Sequence, residues 1–223
     1  MVNNVIIVAG GKGLRMGADL PKQFIRIGGK PVLMYTVEPF YRYDPAMNII
    51  IVLPAEFRPY WLDICKELNF DIPHRIVTGG DTRFQSVKNG LEYVESGIVA
   101  VHDGARPFVS VELIERAFDL AHTQCAVIPV TDVTDSLRKI NSDGTSHIID
   151  RTAIKQVQTP QVFAVDTIKN AYETDYQEGF TDDASVVEKL GMKIHLTAGE
   201  YTNIKITTPL DLKIAESILK ERN

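Results

Sequence analysis

The sequence predicts a three-layer α/β domain with a mostly parallel, mixed sheet and a projecting β-hairpin arm. Three observations carry that reading. Short β-branched apolar runs alternate with longer amphipathic segments along most of the chain, a rhythm that builds parallel strands joined by helical crossovers. That rhythm breaks after Val130, where a polar stretch with a tight-turn signal replaces it. The length of 223 residues, 44% of them hydrophobic, supports one sizeable core, and no repeat or low-complexity linker divides it.

The expected strands are Val5–Ala9, Ile49–Leu53, Arg75–Thr78, Ile98–Val101 and Cys125–Pro129. Between them lie the helical segments Pro31–Tyr41, Glu56–Leu68, Thr82–Val94 and Val111–Ala121. With helices on both faces and right-handed crossovers, the arrangement is Rossmann-like. Residues 131–160 read as a polar hairpin, with strands Ser136–Ile140 and Ser146–Ile149 around an Asn141-Ser142-Asp143-Gly144 turn. Such a projection suits a lid, a dimerisation arm, or both, on a domain spanning residues 1–223. The alternation then resumes with helices Asp166–Tyr176 and Asp182–Leu190, the second with Thr181 as N-cap. Strands near Lys193–Leu196 and Asn203–Ile206 precede a final helix from Pro209 to about Glu221.

Composition removes several classes of function. Apolar runs reach only about five residues, as at Ile49–Leu53, far short of a membrane span. The N-terminus enters Val5-Ile6-Ile7-Val8 without a basic region or cleavage site, so a secretory signal is not expected. Cys65 and Cys125 form no CxxC pair and fit reduced core thiols in a cytoplasmic protein. The five histidines are scattered, against a zinc site. A net charge of −5 argues against non-specific nucleic-acid binding and makes local cations informative. Arg15 and Lys22 flank a glycine loop, and Arg83 and Arg106 follow acidic residues.

In an open parallel sheet, ligands lie beyond the carboxyl ends of the strands. The first strand ends in Ala9-Gly10-Gly11-Lys12-Gly13-Leu14-Arg15-Met16-Gly17. Glycines bring backbone N–H groups close to phosphate oxygens. The loop is not a dinucleotide fingerprint, because Met16 stands where the third glycine of G-x-G-x-x-G belongs, and it is not a P-loop. Arg15 and Lys22 lift it above a plain βα turn, since two nearby cations can clamp a triphosphate and the charge that develops on pyrophosphate. After the third strand, Gly79-Gly80-Asp81-Thr82-Arg83 offers either a helix cap at Thr82 or contacts to a base or ribose. After the fourth, Val101-His102-Asp103-Gly104-Ala105-Arg106 presents Asp103 as a Mg²⁺ ligand, the alternative being an Asp103–Arg106 ion pair. His102 reads as a packed, hydrogen-bonded residue. Arg151, an exposed strand arginine or a ligand of a second phosphate, closes the hairpin region. Thr181-Asp182-Asp183 opens a helix whose N-terminus favours anions or hydroxyls, and Lys205 follows a late strand.

Eight segments in this order resemble the 2-C-methyl-D-erythritol 4-phosphate cytidylyltransferases over essentially the whole chain. They are Ala9–Gly17, Pro21-Lys22-Gln23, Gly79–Arg83, His102–Pro107, Asp150-Arg151, Gln158–Gln161, Thr181–Ser185 and Asn203–Thr208. The resemblance implies an enzyme that joins CTP to a polyol phosphate and releases magnesium pyrophosphate. It implies that Ala9, Gly10, Gly11 and Gly13 lie in the CTP loop and that Arg15 and Lys22 stabilise the transition state. Gly80, Asp81 and Ser86 become the cytosine and ribose contacts, Asp103 the residue near Mg²⁺, and Gly104 its neighbour at CTP. Arg106, Thr181 and Lys205 would line the acceptor-phosphate site. An arm swapped across a homodimer would bring Ser136, Arg151 and Thr159 to the partner's active site, with Arg151 and Lys205 completing the catalytic cations. Gly10 and Gly104 stand where relatives often carry alanine, an exchange expected to be harmless, and Ser136 where threonine is usual. Ribitol-5-phosphate cytidylyltransferases share the loop, the arm and the Asn203-Ile204-Lys205 strand; Ala105 and Thr181–Ser185 favour the methylerythritol enzymes. A sugar-nucleotide glycosyltransferase is disfavoured because no two aspartates are two residues apart.

Overall fold

The computed structural model describes residues 2–10 and 20–222. Its main sheet has eight strands: β1 (Asn3–Val8), β4 (Asn48–Leu53), β5 (Arg75–Thr78), β6 (Ile98–Asp103), β7 (Ala126–Asp132), β10 (Lys155–Val157), β11 (Gln161–Ala164) and β12 (His195–Ala198). The order is β10-β7-β11-β6-β1-β4-β5, with β12 also pairing β7. β1 lies parallel between β6 and β4, and β5 continues the parallel array. Two short ribbons, β2–β3 (Arg26–Ile27 and Lys30–Pro31) and β8–β9 (Leu137–Ile140 and Ser146–Ile149), complete the strands.

The two-residue period of the strands divides the core into two layers. Val5 and Ile7 of β1 face one helical layer, while Ile6 faces the other. The first layer holds α1 (Val32–Tyr43), α2 (Arg58–Glu67) and α4 (Val111–Gln124), which contribute Phe40, Trp61 and Phe118. The second holds α3 (Arg83–Leu91), α5 (Val165–Ala171) and α6 (Asp183–Glu188), with Phe84, Ile168 and Val187 inside. A third cluster of Ile27, Val32, Phe108, Ile206 and Ala215 anchors α7 (Pro209–Arg222). The expected mixed sheet and helix order are therefore present, with boundaries shifted by a few residues; within 131–160, residues 137–149 pair as a local hairpin while 131–132 and 155–157 belong to the main sheet.

One strand was not anticipated, and three local expectations need correction. β11 enters antiparallel between β6 and β7, at a stretch where no strand was expected. It is only four residues long and buried along three of them, so it shows no alternating pattern. The N-cap of α6 is Asp182, not Thr181: its carboxylate accepts from Ser185 N at 2.9 Å, and the Ser185 side chain closes a capping box. Residues 203–206 form no strand; Ile206 N donates to Ala105 O at 2.9 Å as an isolated tie. The helix expected over Asp166–Tyr176 ends at Ala171.

β6 carries the residues that matter most below, and its entry depends on Gly97. This residue has φ +94°, and a Cβ there would lie 2.0 Å from Val2 O. Ile98 N and Val165 N bond across the same turn, to Val2 O and Gly97 O. Gly97→Ala should lower the unfolding free energy by about 2 kcal/mol or more. Gly179→Ala, where nothing lies within 4 Å of an added methyl, should change it by less than about 0.5 kcal/mol. Urea denaturation of the two variants checks both values.

Candidate active site

A cavity of about 750 Å³ opens at the carboxyl ends of β1, β4, β5 and β6. Val8 and Gly10 bound it from β1, Pro54–Glu56 from β4, Thr78–Arg83 and Ser86 from β5 and Asp103–Ala105 from β6, with Lys22 and Lys205 at its walls. This is the location that strand ends in an open α/β sheet dictate. Of the residues singled out above, Gly10, Lys22, Gly80, Asp81, Ser86, Asp103, Gly104 and Lys205 line it. Ala9 lies directly behind, buried, with its N–H on Val52 O and its carbonyl accepting from Gln23 Nε2 at 2.6 Å. Gly11, Gly13 and Arg15 lie outside the described residues.

Each wall has a local cause. Lys22 opens a 3-10 turn, Lys22–Phe24, that is held from both sides. Gln23 reaches back to Ala9, and Phe24 is buried against Phe57, Tyr60 and Trp61. The Gly79-Gly80 turn is fixed by Ser86, whose hydroxyl donates to Thr82 O at 2.9 Å and accepts from Gly80 N at 3.1 Å. Thr82 caps α3 by accepting from Gln85 N at 3.0 Å, one of the two roles open to it. Gly80 needs its hydrogen, since a Cβ would fall 2.1 Å from Gln85 Cγ. Gly104 is not a harmless position here: a Cβ would lie 2.8 Å from Ala9 Cβ and 3.1 Å from Val8 O, whereas Gly10 has room at 3.7 Å.

Asp103 is the electrostatic centre. Its Oδ2 contacts Lys205 Nζ at 2.9 Å and Arg106 Nε at 3.2 Å, and Arg83 Nε lies 4.0 Å from Oδ1. Burial opposes its ionisation, but Lys205, Arg83 and Arg106 outweigh that and hold the carboxyl well below the usual carboxylate range. The anticipated Asp103–Arg106 pair is thus real, and it is one part of a larger cluster. Beside it, His102 is fully buried, which pushes its imidazole down to about 4 despite its bond to Arg106 O. The bond partners fix the tautomer: Nε2–H donates to Arg106 O at 3.1 Å, so Nδ1 accepts from the Thr159 hydroxyl at 3.0 Å. Thr159 Oγ1 in turn accepts from Asp103 N at 3.1 Å. His102 is a packed residue, as its sequence context suggested.

The acceptor-side expectations fare differently. Arg106 is half-buried behind Asp103 and bonds Asn203 O at 2.7 Å, so its guanidinium is committed within the fold and does not line the cavity. Thr159 is buried in its own chain with its hydroxyl used in both directions, which corrects the expectation that it reaches a partner's site. Thr181 is exposed, and the α6 amides next to it are taken: Ala184 N by Gln161 Oε1, Ser185 N by Asp182. Ser136 and Arg151 are exposed on the hairpin region, where Arg151 donates to Thr134 O, and neither lines the cavity.

Sequence reasoning missed Asp183. It is fully buried and grips Arg83 with both oxygens, at 2.7 and 2.5 Å, while accepting from Tyr172 Oη at 2.7 Å. An aspartate in the first turn of a helix reads as a dipole partner, and its real partner is a hundred residues away. A divalent cation was also expected. Among the described residues no cluster of three or more His, Cys, Asp or Glu side chains could hold one. A lone buried carboxylate at the rim of a phosphate-sized cavity does fit a hard cation that takes its remaining ligands from phosphates and water.

The Thr159 hydroxyl provides a test of this arrangement. Thr159→Val leaves the Asp103 N–H and His102 Nδ1 unpartnered and should cost about 1–3 kcal/mol of stability. Thr159→Ser should cost less than about 1 kcal/mol. Chemical denaturation distinguishes this from a role confined to a partner's site, which would leave stability unchanged.

Comparison with known proteins places this geometry in a family. Residues 3–221 match the family described as IspD, 2-C-methyl-D-erythritol 4-phosphate cytidylyltransferase. A protein of that name from Bacteroides thetaiotaomicron is 54% identical over 98% of this chain and 100% of its own length. One from Porphyromonas gingivalis is 49% identical over 96% of both chains. Among solved structures, 4-diphosphocytidyl-2C-methyl-D-erythritol synthase from Anaerococcus prevotii aligns with TM-score 0.84 and 31% identity over 98% of both chains. The cytidylyltransferase from Thermus thermophilus aligns with TM-score 0.78 and 30% identity, covering 96% of this chain and 98% of that one. The chain therefore belongs to the 2-C-methyl-D-erythritol 4-phosphate cytidylyltransferase family.

Proposed function

We propose that this protein transfers the cytidylyl group of CTP to 2-C-methyl-D-erythritol 4-phosphate, giving 4-diphosphocytidyl-2-C-methyl-D-erythritol and pyrophosphate. The observation that supports this most directly is the cation-lined cavity at the strand ends, in a chain that matches the family from end to end. A phosphate oxygen of the acceptor attacks the α-phosphorus, the new P–O bond forms, and the bond to the β-phosphate breaks. A phosphomonoester is already nucleophilic, so no strong general base is needed. What the protein must supply is alignment and charge neutralisation of two anions.

The roles follow from position. Gly10 and the turn at Gly79-Gly80 leave space for the nucleotide, with Ala9 packed behind them. Gly80, Asp81 and Ser86 sit where the base and ribose would lie, and Gly104 stays small beside them. Lys22 lines the cavity where the triphosphate and the leaving pyrophosphate would lie, and Arg15 takes the same role on the strength of the sequence motif alone. Lys205 reaches the acceptor phosphate. Asp103 would hold Mg²⁺, which when bound supplies positive charge to the phosphate oxygens. The chain as a whole is one catalytic unit, and residues 131–160 are its dimer arm. The two-stranded β8–β9 ribbon exposes Ile140 and Ile148 at 68% and 72%, apolar surface suited to cover by a second copy. Ser136 and Arg151 would then act across the dimer. A cytoplasmic location is supported by Cys65 and Cys125, both free thiols. No helix among the described residues is long and apolar enough to cross a membrane.

Pyrophosphate release is the deciding measurement. CTP with methylerythritol phosphate should give turnover, and ATP, UTP or ribitol 5-phosphate in their places should give far less. Equal turnover of ribitol 5-phosphate would defeat the acceptor assignment. Lys22→Ala and Arg15→Ala should each lower kcat by on the order of a hundredfold, about 3 kcal/mol, with unfolding midpoints unchanged. Near-normal turnover in both would remove the transition-state role. Sedimentation of the active species should show a dimer, and an active monomer would rule out the swapped arm.

A further inference from the structure

The two oxygens of Asp103 are unequally engaged. Oδ2 takes Lys205 and Arg106, at 2.9 and 3.2 Å. Oδ1 is the oxygen that faces Arg83, whose Nε stops at 4.0 Å. The reason lies on the other side of the guanidinium. Both terminal nitrogens of Arg83 are held by Asp183 in a fork, at 2.7 and 2.5 Å. Asp183 itself cannot follow Arg83 toward Asp103. It begins α6, which Gln161 of β11 pins through Asp182 Oδ2 at 2.8 Å and Ala184 N at 2.9 Å, and Tyr172 Oη fixes its Oδ1. Tyr172 in turn stacks on Phe84, the neighbour of Arg83, with centroids 4.6 Å apart.

Arg83 thus stands between two carboxylates and is pulled to the one farther from the cavity. Without Asp183, the nearest anion left to the guanidinium is Asp103, and a side-chain rotation would bring its freed N–H groups onto Oδ1. We propose that Asp183 is a positioning residue that withholds Arg83 from Asp103, so that Asp103 Oδ1 stays available to a divalent cation bound with the nucleotide. The inference rests on the nucleotidyltransferase reading above. It separates Asp183 from a plain structural ion pair, because it predicts that removing both charges is better for the site than removing one.

The test is calorimetric binding of CTP, without acceptor, in the presence and absence of Mn²⁺. The quantity read is the factor by which Mn²⁺ tightens CTP binding. Asp183→Asn should reduce that factor by about tenfold or more, because Arg83 then occupies Oδ1. Arg83→Met combined with Asp183→Asn should restore it to within about threefold of the starting protein. An unchanged factor in Asp183→Asn, or a double variant as impaired as the single one, overturns the proposal. If Asp183→Asn fails to fold by thermal unfolding, the double variant decides alone: it leaves no buried charge of this pair, and a lost Mn²⁺ effect in it refutes the idea. A starting protein that binds CTP with no Mn²⁺ effect also overturns it. Absence of CTP binding under either condition would instead defeat the nucleotide reading beneath it.

Discussion

Asp103 is a carboxylate buried at the end of a central strand, and a charge in that position must be compensated or the fold pays several kcal/mol. Compensation comes from three places, two of them remote in sequence. Arg106 is three residues on, Arg83 begins α3, and Lys205 lies beyond β12. For all three to meet one carboxylate, β6, α3 and the segment at 203–206 must converge on one point. The cavity is the space left where they do. Its electrostatics and its existence therefore have the same origin.

Neutral amides act as the joints that keep this convergence in place. Asn203 is fully buried and donates to Thr159 O at 2.8 Å, while Gln158 Nε2 donates to Glu200 O at 2.8 Å. These bonds tie the β10–β11 stretch to the late segment that carries Lys205. On the opposite side Gln161 ties β11 to α6, and so to Asp183. β11 is central to both connections. A neutral amide suits such a joint because it offers donor and acceptor without adding a charge that itself would need compensation.

That explains which parts were legible in the sequence. The strand-end turns announced themselves, because glycines and isolated charges after β-branched runs have few other uses. Asp103, Lys205, Gly80 and Ser86 could be picked out and do meet in one cavity. β11 could not, because a four-residue strand buried on both faces has neither length nor period to distinguish it. Nor could Asp183, whose local signal as a helix-opening aspartate is satisfied by the helix alone. Thr159 and Arg106 were visible as polar residues near the site, yet burial took up Thr159 and the bonds to Asp103 and Asn203 O took up Arg106, and both are properties of the packing and not of the local pattern. The hairpin was legible for the reverse reason. Its register rests on a local turn, with Asn141 N on Thr145 O and Gly144 at φ +81°, and owes little to distant contacts.

The three cations on Asp103 are not equivalent, and the difference assigns them separate duties. Arg106 keeps 11% of its side chain exposed and is tied to Asn203 O as well, so it cannot leave without stranding a buried carbonyl. Arg83 is held by the stronger grip of Asp183. Lys205 keeps 42% exposed, and Asp103 is its one carboxylate partner among the described residues. An ammonium on a flexible stem can exchange one oxygen for another with little rearrangement, whereas a forked guanidinium cannot. Arg106 therefore fixes the carboxylate, Arg83 adds its charge from 4.0 Å, and under the proposed function the lysine is the member of the cluster able to turn to an incoming phosphate. A site that must hold its centre rigid while accepting a second anion needs both kinds of cation. Exchanging Lys205 for arginine would preserve the charge and remove the mobility that the role depends on.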